Sequence, residues 1–166
     1  MKTTAFFTRM LGWLTGSRLT VDNSVVRELD LDRFLGSWYE VARFDHFFER
    51  GMSQTRANYV LRDDGNIDVI NTGIKNGKPK TAKGKAKLTD IPSLLRVSFF
   101  GPFYSDYRVM LVDADYRYML IGSGSDGYLW ILSRTPQLAD SDRAAILNEA
   151  KSRGYDTDKL IWVKQN

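Results

Sequence analysis

Few side chains in this 166-residue sequence could perform covalent or acid–base chemistry. The sequence contains no cysteine and a single histidine, His46. Without a thiol there can be no disulfide, no cysteine nucleophile and no zinc–thiolate site, and one histidine cannot build a histidine-rich metal centre. We interpret His46 as a loop residue beside Asp45. The sequence therefore predicts a binding protein with no catalytic residue, no metal and no cofactor.

The composition is typical of one soluble globular domain. Hydrophobic residues make up 43% and charged residues 27% of the chain, and the net charge is +4. No apolar run is long enough to span a membrane, and no motif indicates a nucleic-acid partner. Such a mild positive charge either favours anionic headgroups or simply keeps the protein soluble.

Short strands separated by turn residues predict an all-β fold. A helical turn at 30–34 precedes eight predicted strands, which are 37–44, 54–62, 66–74, 81–89, 94–100, 107–112, 118–122 and 128–133. Eight antiparallel strands in up-and-down order can close into a barrel, or calyx, whose lumen admits one small ligand. Beyond Pro136 the pattern predicts a helix over 140–153, capped by Asp140 or Ser141, and a short strand at 160–163.

Strand alternation assigns the residues that line the lumen, because side chains on a strand point alternately to its two faces. If Trp38 points inward, the inward set is Glu40, Ala42, Phe44, Ala57, Tyr59, Leu61, Val69, Asn71, Gly73, Ala86, Leu88, Leu95, Val97, Phe99, Tyr107, Val109, Leu111, Leu120, Gly122, Tyr128, Trp130 and Leu132. This set is apolar and aromatic, as an acyl-chain pocket requires. Its small residues favour a cavity over the alternative, a barrel filled by its own side chains.

Two groups of candidate binding residues follow from this assignment. The predicted lipid-binding residues are Ala57, Tyr59, Val69, Asn71, Val97, Phe99, Tyr107, Val109, Tyr128 and Trp130. The loops after the odd-numbered strands should surround the mouth, where the candidates are Phe47, Phe48, Lys75, Lys78, Phe103 and Tyr104, with Lys80 beside them. An aromatic and basic rim suits an amphiphile with an anionic head or contact with a membrane surface, although the lysines alone could be a solvated hairpin tip.

Four motifs in this order resemble the lipocalin family, and in particular its bacterial branch. They are Gly36-Ser37-Trp38-Tyr39 with the run to Asp45, Val97 to Tyr104, Asp113-Ala114-Asp115-Tyr116, and Leu129 to Pro136 with Arg134. The resemblance covers roughly residues 31 to 166. It implies a barrel domain at 30–166 with the C-terminal helix packed outside, preceded by a separate N-terminal segment at 1–29.

The resemblance also implies roles for residues at the closed base of the barrel. Gly36 would begin the first strand, and Trp38 would pack beneath Arg134 in a cation–π contact worth roughly 0.5–2 kcal/mol. As for function, the resemblance implies a carrier of fatty acids or lysophospholipids for membrane maintenance, and a homodimer. The alternatives are a lipocalin-fold enzyme, for which Glu40 is the one acidic residue predicted inside, and a pigment or tetrapyrrole carrier.

The first 17 residues allow two interpretations. Leu14-Thr15-Gly16-Ser17 looks like a lipoprotein signal box in which serine replaces the lipidated cysteine, although Arg9 interrupts the apolar stretch. The alternative is a short amphipathic helix, since Phe6, Met10 and Trp13 are spaced by four and three. We expect association with the periplasm or outer membrane if the chain is exported, a soluble protein otherwise, and no lipid anchor through this box because a hydroxyl cannot form the thioether.

Overall fold

The computed structural model describes residues 19–166, and the features at 1–17 lie outside the described residues. The strands are β1 (Gly36–Phe44), β2 (Met52–Leu61), β3 (Ile67–Lys75), β4 (Lys78–Leu88), β5 (Leu94–Phe100), β6 (Phe103–Val112), β7 (Tyr118–Gly122), β8 (Leu129–Ser133) and β9 (Leu160–Trp162). The helices are α1 (Leu31–Phe34) and α2 (Asp140–Ser152), with a 3-10 turn at Thr157–Lys159.

The first eight strands form a closed antiparallel barrel, which confirms the predicted fold. Each strand from β2 to β7 pairs with the next in sequence, and β1 closes the ring by pairing with both β8 and β2. β4 begins earlier than predicted because Asn76 and Gly77 adopt positive φ angles of 52° and 73°. Such a tight turn lets Lys75 and Lys78 pair directly across it.

Buried side chains divide into two clusters that identify the two faces of the barrel wall. The inner cluster takes residues from all eight barrel strands and from α1, including Trp38, Tyr59, Val97 and Ile121. The outer cluster includes Ile146 and Ala150 of α2 and so lies between the barrel and that helix. The helix therefore packs outside the ring, as expected.

Two β-bulges overturn part of the predicted lumen face. The register shifts between Glu40 and Ala42 on β1, and between Val109 and Leu111 on β6. An extra residue reverses the alternation beyond it. Consequently the residues Ala42, Phe44 and Leu111, predicted to face inward, pack in the outer cluster.

The prediction for β7 was also wrong, for a different reason. All five residues of this short strand are buried, so its sequence shows no alternation. Met119 and Ile121 belong to the inner cluster and Leu120 to the outer one. A Cβ at Gly122 would meet the Met110 side chain of the outer cluster at 2.9 Å, so this glycine does not face the lumen.

Short segments at the two ends of the described chain hold the barrel at its edges. Asp30 caps α1 by accepting a hydrogen bond from the Arg33 amide. By contrast, α2 begins after Ala139 with no side-chain cap. The prediction that Asp140 or Ser141 caps this helix was therefore wrong. Near the C-terminus, the Gln165 amide donates to the carbonyls of Glu40 and Thr55. It thereby bridges β1 and β2 where their direct pairing has ended.

Candidate functional site

One end of the barrel is closed by a stack of aromatic and guanidinium groups. The Arg134 guanidinium lies 3.7 Å from the centre of the Trp38 ring. Trp38 is fully buried, and its indole N–H donates to the Phe34 carbonyl at 2.7 Å. Gly36 has a φ of 96°, and a Cβ there would lie 3.4 Å from the Arg134 guanidinium. The predicted base residues thus come together as a plug.

Backbone carbonyls hold the base arginine in place. Arg134 donates to the carbonyl oxygens of Ser37 at 2.7 Å, Arg33 at 2.5 Å and Leu35 at 2.9 Å. These carbonyls belong to α1, to the residue after it and to the start of β1, so Arg134, which directly follows β8, ties these segments together. A guanidinium suits this position because it presents several N–H donors in one plane.

Above the plug, the exposure of inner side chains increases towards the mouth. Phe34, Trp38, Ile67 and Leu95 are 0% exposed, whereas Ala57 is 8% and Val97 7% exposed. Five residues of the predicted lipid-binding set retain intermediate exposure: Asn71, Phe99, Tyr107, Tyr128 and Trp130. An inward-facing side chain in a closed barrel stays exposed only where the lumen holds accessible space. The inner side chains are therefore fully buried around the plug, whereas several of them nearer the mouth are partly accessible.

A pair of tyrosines separates these two zones. Tyr59 and Tyr107 hydrogen-bond through their hydroxyls at 2.8 Å, and Phe34 stacks on Tyr59 with ring centres 4.7 Å apart. Burial raises the pKa of both tyrosines well above the ordinary value. The pair therefore stays neutral and offers a polar point inside the barrel.

A buried cluster of charged groups lies in the upper half of the barrel, and sequence alternation did not find it. Arg43 is 2% exposed and lies 3.0 Å from Glu40 and 3.7 Å from Glu49. The bulge after Glu40 turns Arg43 inward, opposite Trp130 on β8. Because nothing in the local sequence indicates this bulge, strand alternation predicted that Arg43 faces outward.

The loop at 45–51 adds Glu49 and His46 to this cluster. The Nε2 atom of His46 lies 3.2 Å from Glu49 Oε1, and the Trp130 indole N–H donates to the same oxygen at 3.3 Å. His46 is 8% exposed and packs among Phe48, Tyr128 and Trp130 at 5.5–5.9 Å between ring centres. His46 is thus a loop residue beside Asp45, as expected, but its ring is buried against the cluster.

The two carboxyl groups of the cluster have opposite protonation preferences. Burial and the neighbouring Glu49 charge hold the pKa of Glu40 well above its ordinary value. Burial acts in the same direction on Glu49, but the adjacent His46, Glu40 and Arg43 side chains outweigh it and lower its pKa to about 2. At neutral pH the cluster thus holds an ionised Glu49 paired with Arg43, and a Glu40 that favours the proton.

The loop at 45–51 also carries aromatic side chains across the mouth. Phe48 lies 5.9 Å from Phe47 and 5.9 Å from Phe100 at the end of β5. Phe47, Phe100 and Phe103 are 55%, 46% and 47% exposed. The mouth therefore has a partly covered opening with an apolar rim.

The remaining predicted mouth residues lie on the strands that bound this opening. Lys75 and Lys78 face each other across the β3–β4 turn. Phe103 and Tyr104, at the start of β6, line a surface groove with Lys87 and Arg96. Among residues 19–166, no group of three acidic or histidine side chains could hold a metal ion, and no helix is long and apolar enough to cross a membrane.

Comparison with known proteins gives a consistent family assignment. Residues 29–165 match the family described as Lipocalin-like domain. The chain is 49% identical to the outer membrane lipoprotein Blc of Citrobacter freundii over 146 residues, which are 86% of this chain and 82% of that protein. Its identity to Blc of Escherichia coli strain K12 is 47% over the same shares of the two chains.

The fold is also similar to that of solved structures with distant sequences. The crystal structure of lobster apocrustacyanin A1 superimposes with a TM-score of 0.71, covering 91% of this chain and 89% of that one at 21% sequence identity. At this identity the likeness describes the barrel architecture alone.

Proposed function

Because this chain belongs to the lipocalin family, whose members bind hydrophobic small molecules, we propose that it carries a single-chain amphiphile, a fatty acid or a lysophospholipid, in the upper lumen. The observation that carries this proposal is the graded exposure of the inner wall, from the fully buried Trp38 at the base to the partly exposed rings of Phe99 and Trp130. An acyl chain fits such a space because each methylene moved out of water gains about 0.8 kcal/mol.

The head group of the ligand is assigned to the lysines at the mouth. Lys75, Lys78 and Lys80 share the inner face of the β3–β4 hairpin, since they alternate in register with Gly73 and Asn71. None of them forms an ion pair with a carboxylate of the described residues. A carboxylate or phosphate held here would keep its charge in contact with water while its chain enters the lumen.

A binding role is favoured over catalysis by the state of the acidic groups inside. Glu40 and Glu49 are both engaged with Arg43, and Glu49 also accepts a hydrogen bond from Trp130. Carboxyl groups whose oxygens already accept hydrogen bonds from Arg43 or Trp130 are poorly placed to transfer protons to a substrate.

Tryptophan fluorescence provides the test. Titration with a long-chain fatty acid or lysophospholipid should change the emission of Trp130 saturably, with micromolar or tighter affinity, about −8 kcal/mol or stronger. Ala57→Phe places a ring among the inner side chains and should abolish the signal in the folded protein, because the ring occupies the ligand's volume. Asn58→Phe is the matched control, since the next residue on β2 points to the opposite face.

Equal, undiminished affinity in both variants would mean that the lipid binds outside the lumen. Native mass spectrometry of gently purified protein would report the bound molecule and test the homodimer in one measurement. A visible absorbance band in that material would instead favour a pigment carrier.

For cellular location, we propose that the protein acts at the bacterial envelope, as the names of the Blc relatives suggest. Substituting Ser17→Cys would complete the lipoprotein-like box at 14–17. Acylation and membrane retention of this variant in a bacterial host would support the signal interpretation. An unlipidated, soluble product would support the helix interpretation instead.

A further inference from the structure

The outer face of β4 carries a row of lysines. Ala86 packs in the inner cluster, so alternation directs Lys83, Lys85 and Lys87 to the outside of the barrel. Lys87 pairs in register with Arg96 of β5. The row continues the positive charge of Lys75, Lys78 and Lys80 at the hairpin tip, and together these six residues are termed the lysine hairpin.

No carboxylate of the described residues neutralises the lysine hairpin. The ion pairs among residues 19–166 involve arginines and His46, and none involves these six lysines. Asp68, the register partner of Lys85, is held by Arg62 at 3.1 Å instead. The hairpin contributes +6 to a chain with a net charge of +4, so all other residues together sum to −2.

An amphipathic groove adjoins this row. It has a volume of about 500 Å³ and is lined by Lys87, Arg96, Pro102, Phe103 and Tyr104. The Lys87 ammonium lies 4.3 Å from the centre of the Tyr104 ring. Asp106 ion-pairs with Arg96 and, at 3.0 Å, with Arg108, so Lys87 is the cation of the groove that no carboxylate balances.

We propose that the outer face of β4 and the adjoining β5–β6 turn form a docking surface for an anionic phospholipid bilayer. The surface lies on the outside of the wall, so it is separable from acyl-chain binding in the lumen. The partner follows from charge complementarity, because a row of unpaired lysines is attracted to a negatively charged leaflet. Exposed rings beside such lysines add the apolar contact that a membrane interface favours.

The position of the exposed rings also sets the orientation of the docked barrel. Phe100 and Phe103 pair across the β5–β6 turn, and Phe47 lies at the same end of the barrel on the loop at 45–51. With these rings at the lipid and β4 along the headgroups, the mouth of the barrel would open towards the bilayer. An amphiphile could then pass between membrane and lumen with little exposure to water.

Vesicle sedimentation with the full chain tests this proposal. Vesicles of phosphatidylcholine alone and vesicles containing about a third phosphatidylglycerol should be compared at low and high salt. The test variant is the triple substitution Lys83→Gln, Lys85→Gln, Lys87→Gln. The matched control is Lys151→Gln, Lys159→Gln, Lys164→Gln, which removes the same charge from exposed positions on α2, the 3-10 turn and the C-terminal tail.

We expect tight binding only to the anionic vesicles, weakened by salt. Each lysine near such a surface strengthens binding roughly fivefold, so the β4 variant should lose about 100-fold in affinity. The control should retain most of its affinity. Equal losses in the two variants would attribute binding to net charge alone. Unchanged binding of the β4 variant, or a wild type indifferent to phosphatidylglycerol, would overturn the proposal.

The lumen titration separates this proposal from the proposed function. The β4 variant should bind a soluble fatty acid as the wild type does, since its substitutions lie on the outer wall. If neither protein binds the fatty acid while the vesicle results hold, the lumen proposal fails and the docking surface stands.

Discussion

The two ends of the barrel each contain a buried or half-buried arginine, and the two are held in different ways. Arg134 at the base stacks on Trp38 and donates to backbone carbonyls. Arg43 near the mouth pairs with Glu40 and Glu49 and also donates to the Glu49 and Met52 carbonyls. The base therefore relies on neutral acceptors, whereas the mouth relies on ionisable ones.

The contacts of Arg134 at the base are therefore independent of pH, whereas those of Arg43 near the mouth depend on ionised carboxyl groups. Carbonyls and an indole ring do not titrate, so the plug is insensitive to pH. At the mouth, buried polar atoms without a hydrogen-bond partner among the described residues include Arg43 Nε, His46 Nδ1 and Glu49 Oε2. Incomplete pairing of buried charges is costly, and it is concentrated where the loop at 45–51 meets the barrel.

The largest expected effect comes from removing the arginine at the mouth. Arg43→Ala leaves the ionised Glu49 buried without its cation and should destabilise the protein by about 3–5 kcal/mol, measured by urea denaturation. Arg50→Ala is the control, because Arg50 forms an exposed pair with Asp45 whose loss should cost about 0.2–1 kcal/mol.

A compensating variant keeps this prediction testable if Arg43→Ala does not fold. Arg43→Met combined with Glu49→Gln removes both charges and should recover much of the lost stability. If the double variant were less stable than either single one, the two side chains would not act as a charge pair.

The arginine at the base should have a smaller effect. Arg134→Ala removes the cover of Trp38 and several carbonyl contacts, and we expect a loss of about 2 kcal/mol in the free energy of unfolding. Fatty-acid affinity of the folded protein should be largely unchanged. Arg143→Ala is the control, since Arg143 lies 3.5 Å from the Trp162 ring on the exposed face of α2. If Arg134→Ala were fully stable but no longer bound lipid, Arg134 would belong to the ligand-binding end of the barrel and not to its closed base.

The smallest effect concerns the dependence of stability on pH. Since the folded-state pKa of Glu40 is raised, the folded protein holds a proton that the unfolded chain releases above about pH 4.5. The stability from Glu40 is complete below that pH and decreases as pH rises towards the folded-state pKa, by at most about 1.4 kcal/mol per unit. Glu40→Gln should therefore become more stable relative to the wild type between pH 5 and 8.

Denaturation curves at several pH values measure this difference, with Arg134→Ala as a variant whose pH dependence should match the wild type. Glu49 has the opposite sign: with a folded-state pKa of about 2, its contribution is present above about pH 4.5 and lost as pH falls towards 2. Parallel profiles for Glu40→Gln and the wild type would show that Glu40 does not retain the proton.

The order of elements could be predicted from the sequence because its causes are local. Turn residues and alternation located all eight barrel strands, and the ends of β5 and β7 agree with the predicted limits. The motifs around Trp38 and Arg134 indicated the base, and the structure places these two side chains in contact. Much of the inner wall, including Tyr59, Val97 and Val109, also follows from alternation alone.

The tertiary structure determined the parts of the molecule where strand alternation is interrupted. A bulge forms only when two strands pair. The sequence of β1 alone therefore does not indicate that Arg43 points inward and Phe44 outward. β7 is apolar on both faces because α2 covers its outer side, and its alternation therefore carries no information. His46 is buried because a loop folds back over the mouth. Sequence periodicity specifies the faces of a regular strand, but the charged cluster at the mouth depends on pairing, packing and loop closure between distant segments.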